Sequence, residues 1–110
     1  MKRGEVWSAA TGGGFGGKPR PVIVVQGALF GETPHVIVAL CQTARNLADD
    51  VRPRISPDRS NGLQEISDVA VDLLVTVPRR KFGLQIGQLS DADMHRVDRA
   101  LLVFLGFAHS

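Results

Sequence analysis

Hydrophobic positions follow two patterns along the chain, and the change near residue 90 separates a strand-forming part from a helical end. Val22-Ile23-Val24-Val25 is β-branched throughout, and Val36-Ile37-Val38-Ala39-Leu40-Cys41 is a second continuous apolar run; both predict buried strands. Over residues 4–10, Val6, Ser8 and Ala10 alternate with Trp7, the period of a strand. Val51-Arg52-Pro53-Arg54-Ile55 fits a short edge strand, because Pro53 lacks the N–H a central strand needs. Residues 67–77 read as one or two strands with Val69, Val71, Leu73 and Val75 alternating, and 82–89 as a last short strand containing Ile86. Turns are expected over 27–34 and 56–62, with Asn61-Gly62 the sharpest signal. From Ser90, a good N-cap followed by Asp91 and Asp93, the period becomes helical. Met94, Val97, Leu101, Phe104 and Leu105 form one stripe, and Gly106 is a fitting stop. Five to seven short strands and one helix describe a mainly β protein: a small, strongly bent sheet or barrel closed by a C-terminal α-helix. At 110 residues, a single domain over 1–110 is the expectation.

Composition narrows the chemistry by exclusion. The formal net charge of +2 and pI of about 9.2 permit a nucleic-acid partner without demanding one. One cysteine, Cys41, allows neither an intrachain disulfide nor a cysteine metal cluster, and His35, His95 and His109 show no ligand spacing, so no metal is expected. The basic N-terminus is not followed by an apolar signal region, and no apolar run approaches the roughly 20 residues that span a bilayer, so a cytoplasmic protein with no membrane partner is expected. Gly12-Gly13-Gly14-Phe15-Gly16-Gly17-Lys18 imitates a phosphate-binding loop. It lacks the Lys-Ser/Thr pair, however, and leads through Pro19 and Pro21 into a strand instead of a helix. It reads as a mobile loop, and Pro19 and Pro21 bias their preceding residues, Lys18 and Arg20, to extended backbone.

Five segments, in order, resemble the MazF/PemK toxin family: Lys2-Arg3-Gly4-Glu5-Val6-Trp7, Gly17-Lys18-Pro19-Arg20-Pro21-Val22-Ile23-Val24-Val25, Asn61-Gly62-Leu63, Asp72-Leu73-Leu74-Val75-Thr76-Val77-Pro78-Arg79 and Ile86-Gly87-Gln88-Leu89-Ser90. The resemblance implies an SH3-like, CcdB-type small barrel that forms a homodimer. It also implies an endoribonuclease that cuts single-stranded RNA without metal or other cofactor, leaving 2′,3′-cyclic phosphate and 5′-hydroxyl ends. A cognate antitoxin would bind across the RNA groove and silence it.

The residue roles follow from that resemblance. Attack of a ribose 2′-hydroxyl on phosphorus needs a proton acceptor, stabilisation of the charged phosphorane, and a proton for the 5′-oxygen. Arg20 takes the family's arginine position, and a guanidinium fork suits two phosphate oxygens. The family's threonine position falls on Gln42 within Leu40-Cys41-Gln42-Thr43, so either Thr43 supplies the hydroxyl or Gln42 substitutes an amide donor; Thr43 is slightly favoured. Asp72 falls where some relatives carry an acidic base or RNA contact. Lys18, Arg45, Arg79, Arg80 and Lys81 are candidate phosphate contacts, and Phe15 a candidate base-stacking residue. The glycine loop, residues 11–18, is expected to act as a lid over RNA. Two other readings are a CcdB-like non-enzymatic gyrase-binding toxin, and a degenerate RNA-binding module that no longer cuts.

Overall fold

The computed structural model describes residues 1–11, 18–44 and 51–109. Residues 12–17 of the expected 11–18 lid, Phe15 among them, and residues 45–50, with the candidate Arg45, therefore lie outside the described residues. Six strands form one antiparallel sheet: β1 (Glu5–Ala9), β2 (Arg20–Val24), β3 (His35–Thr43), β4 (Arg54–Ile55), β5 (Ser67–Pro78) and β6 (Phe82–Gln88). Their spatial order is β4-β5-β3-β2-β1-β6, and α1 (Asp91–Phe104) follows. The mainly β class, the curled sheet and the C-terminal helix agree with the sequence reading.

The sheet curls enough to enclose two apolar clusters. One lies under the helix and joins Val6, Ile23, Ala39, Cys41, Ile55, Val69 and Val71 to Val97, Ala100 and Leu101. The other joins Ala9, Val22, Val24, Val36, Val38 and Val77, with Trp7, Leu40 and Phe82 against them. Strand alternation explains the split: Val22 and Val24 face one way and Ile23 the other. The Trp7 and Phe82 rings meet edge-on, with centroids 6.0 Å apart.

The two edge strands, β4 and β6, are bridged by the turn that follows β4. In the turn after β4, Asn61 is fully buried; its Oδ1 accepts from the N–H groups of Asp58 (3.2 Å) and Leu63 (2.9 Å), while Nδ2 donates to the Ser56 carbonyl (3.0 Å). The Asp58 carboxylate accepts from the Asn61 N–H at 2.7 Å and from Ser60, and these donors hold it below the usual carboxylate range. The organised turn then lies on β6, where the Gln88 N–H donates to the Ser60 carbonyl at 2.8 Å. Contact is so close that a Cβ on Gly87 would come within 2.3 Å of the Ser60 oxygen.

Two expectations about strands change. The 51–55 edge strand shrinks to Arg54–Ile55, with Val51 and Arg52 in a turn before it. Residues 67–77 are one strand, but its alternation does not run through. Ala39 pairs with Leu74 while the next residue, Leu40, pairs with Ala70, so Val71, Asp72 and Leu73 have no counterpart on β3. This bulge puts Val69 and Val71 under the helix and Val75 and Val77 in the second cluster, and leaves Leu73 exposed.

The helix starts as expected: the Ser90 hydroxyl accepts from the Asp93 N–H at 3.1 Å. Arg3 latches it to the sheet, donating from Nε to the Val25 carbonyl and pairing with Asp98; Arg96 donates to the Arg54 carbonyl at 2.8 Å. The apolar stripe is buried only in its first part. Leu102, Phe104, Leu105 and Phe107 remain exposed, and with Ile37 and Val25 some of them line an apolar groove of about 500 Å³.

Gly62 has φ +69°, and a Cβ there would lie 2.4 Å from the Ile86 oxygen. Gly62→Ala is therefore expected to cost about 2–4 kcal/mol, from left-handed strain plus overpacking. Gly106, at φ +84° with open space around it, should cost about 1 kcal/mol for the same change. Urea midpoints at unchanged m-value measure both.

Candidate active site

β2 begins in a proline-flanked segment. Pro19 holds Lys18 extended, Arg20 opens the strand, and Pro21 offers no N–H. The ladder between β2 and β3 stops beside Pro21, at Val22↔Leu40, whereas β3 continues against β5 to Thr43↔Ser67. Carrying the β2–β3 register two residues further brings Arg20 level with Gln42. Both strands run past their last ladder pair, Arg20 on one and Gln42 on the other, and this end of the two strands is termed the notch.

Alternation decides which side chains share that notch. Arg20 has the parity of Val22 and Val24, and Gln42 that of Leu40 and Val38, all of them in the second cluster. Thr43 has the parity of Cys41 and Ala39, which face the helix. The structure therefore brings Gln42 to the face of Arg20 and turns Thr43 to the other. Burial pushes the Cys41 thiol up to about 12, consistent with a core residue and not a nucleophile.

Gln42 has a partner that the sequence did not single out. Arg52, in the turn before β4, donates from Nη1 to Gln42 Oε1 at 2.8 Å. Its Nε and Nη2 donate to the two carboxylate oxygens of Asp72, each at 2.9 Å. Asp72 reaches Arg52 because it sits on the bulge of β5. The pair is mostly sheltered, with side-chain exposures of 14% and 25%. The Arg52 fork holds the Asp72 carboxyl below its usual range against a smaller opposing effect of burial, and Asp72 raises Arg52 in return. Asp72 is thus an ion-pair partner with both oxygens occupied, which lowers its strength as a proton acceptor. Beside it, Arg54 pairs with the buried Asp68 at 3.2 Å, and Asp68 stands opposite Gln42 in the ladder.

The remaining candidates divide. Lys18 is exposed next to Arg20. Lys81 is exposed too, and its carbonyl accepts from the Ala10 N–H; the row Phe82↔Ala9↔Arg20 sets it about two strand spacings from Arg20. Arg79 is engaged elsewhere: its guanidinium donates to the carbonyls of Thr33 and Gly31 and clamps that turn. Arg80 is exposed on the turn beside it. His35 pairs with Pro78 at the far end of β3 from Thr43, and His95 is on α1, so neither joins the cluster. Among the described residues no group of His, Cys, Asp and Glu is arranged to hold a metal, and no helix is long and apolar enough to cross a membrane.

Comparison with known proteins places the chain in a family. Residues 2–105 match the family model described as "PemK-like, MazF-like toxin of type II toxin-antitoxin system". The chain is 43% identical over 108 residues to a probable endoribonuclease MazF of Mycolicibacterium smegmatis, covering 98% of this chain and 99% of that one. It is 34% identical to a probable endoribonuclease MazF2 of Mycobacterium tuberculosis, over 96% and 99% of the two chains. Its fold superposes with a TM-score of 0.80 on an endoribonuclease solved in complex with its cognate antitoxin, from a mycobacterial species, at 22% identity and covering 100% and 99% of the chains. The chain belongs to the PemK-like, MazF-like toxin family.

The Arg52–Asp72 pair carries a pH signature. Since the folded Asp72 carboxyl titrates below its unfolded value of about 3.9, the pair stabilises the fold at neutral pH and this fades as pH falls through the folded value. Asp72→Asn should therefore cost about 1–2 kcal/mol near neutrality, and the difference from the parent should vanish in acid. Urea denaturation across the pH range measures it.

Proposed function

We propose that this member of the PemK-like, MazF-like toxin family is a cytoplasmic endoribonuclease that cuts single-stranded RNA without a metal or cofactor and is silenced by a cognate antitoxin. The observation that carries the activity is the full-length likeness to a probable endoribonuclease. The facing of Arg20 and Gln42 across the notch supports a site for it there.

In the proposed reaction the ribose 2′-oxygen attacks the adjacent phosphorus, the P–O5′ bond breaks, and the 2′-proton is lost as the 5′-oxygen gains one. The products are a 2′,3′-cyclic phosphate and a 5′-hydroxyl, and no water is consumed. Arg20 would stabilise the phosphorane through two of its oxygens. Lys18 and Lys81 would add flanking charge along the RNA backbone. Gln42 supports the second contact to phosphate better than Thr43 does, because it shares the face of Arg20.

The toxin would act as a homodimer. A chain this short buries a modest core, and the exposed apolar groove around Ile37, Leu102 and Phe107 is suited to cover by a second copy.

A long single-stranded RNA incubated with the purified protein in EDTA should be cleaved, and Arg20→Ala should lower the rate at least about 100-fold. Gel analysis and 5′-end mapping read the outcome. RNA left intact at high protein would sink the proposal and leave a non-enzymatic toxin or an RNA-binding module.

A further inference from the structure

We propose that Arg52, anchored by Asp72, positions Gln42 so that its amide N–H groups face the scissile phosphate; this rests on the ribonuclease reading above. A guanidinium only donates hydrogen bonds. Gln42 must therefore turn its Oε1 to Arg52, as observed at 2.8 Å, and this directs Nε2, in the same amide plane, away from that contact. Nε2 has no hydrogen-bond partner among the described residues, and Gln42 lies level with Arg20 on the same face.

The anchor is rigid for a physical reason. Asp72 takes two of the donors of Arg52 at 2.9 Å each, in a planar fork that leaves little rotational freedom. The third contact, to Gln42, uses the remaining inner edge of the same plane. A free glutamine would sample many rotamers and present either end of its amide. The clamped one presents a donor, which does for the phosphorane what a hydroxyl from a shorter side chain would do. Arg52 is a positioning residue in this scheme. Its charge is balanced by Asp72, so it adds orientation more than attraction.

A double-mutant cycle tests this with the full-length protein and a short single-stranded RNA. Gln42→Ala and Arg52→Met should each lower kcat about 10–100-fold, with KM changed by no more than about threefold. The double variant should be no worse than about threefold below the weaker single variant, since Gln42→Ala removes the donor and Arg52→Met removes only the orientation of that same donor. Gln42→Thr in the Arg52→Met background should restore activity, because a hydroxyl close to the backbone needs no clamp. Thermal unfolding of every variant separates lost positioning from lost structure. If Arg52→Met does not fold, Asp72→Asn and Arg52→Lys replace it in the cycle.

Full activity in Gln42→Ala would overturn the proposal, and so would single losses that multiply in the double variant. A rise in KM with weaker salt dependence in Arg52→Met would also overturn it, by making Arg52 a direct phosphate contact. A parent protein that cleaves no RNA would fail the ribonuclease reading instead, a result distinguishable from all of these.

Discussion

The curled sheet has to be closed between two edge strands that form no ladder with each other, and the rest of the structure depends on how this is done. The closing piece is the turn around Asn61, whose side chain satisfies backbone groups on both sides of it while fully buried. Its carbonyl at Ser60 then takes the place of a strand partner for Gln88. Glycines at 62 and 87 are needed because the two backbones touch. Closing this edge also delivers β4 to the end of β5, and with it the turn that carries Arg52. The site residues thus meet because the sheet is closed, although none of them takes part in closing it.

Two irregularities shape the site within that frame. Pro21 ends one ladder early and leaves the ends of β2 and β3 as separate walls. The bulge in β5 re-aims Asp72 towards the turn before β4. A regular sheet would have neither the notch nor the ion pair beside it. In both places hydrogen-bonded regularity gives way and chemistry-bearing side chains take its place.

Much of the fold was legible because it is written locally. The β-branched run at Val22–Val25, the Ser90 cap and the stop at Gly106 act over a few residues and stand where the sequence puts them. The bulge was hidden, since Val69, Val71, Leu73 and Val75 alternate without a break and the register jump is set by β3 and by curvature. Asn61-Gly62 was readable as a turn but not as the closure of the sheet, which depends on Ile86–Gln88. Arg20 could be picked out from the resemblance and its prolines. Arg52 could not, because its partners are 10 and 20 residues away and its neighbour Pro53 suggested only an edge strand. That Gln42 and not Thr43 shares the face of Arg20 follows from alternation, a property of the folded strand that a resemblance at one position does not carry. Arg79 stands in the sequence as a candidate phosphate contact, yet its fork is used on the turn at Gly31 and Thr33.

The hydrogen-bonded trio of Gln42, Arg52 and Asp72 also constrains how such a site can arise. Its members come from a strand end, a turn and a bulge, so no single local change creates it. An arginine at position 52 without its acid would be a sheltered cation left unbalanced, and the acid without its arginine a sheltered bare carboxylate. A glutamine without either would be an untethered amide. The ion pair can therefore brace the turn whatever side chain stands at position 42, whereas a glutamine there takes its rigidity from the pair.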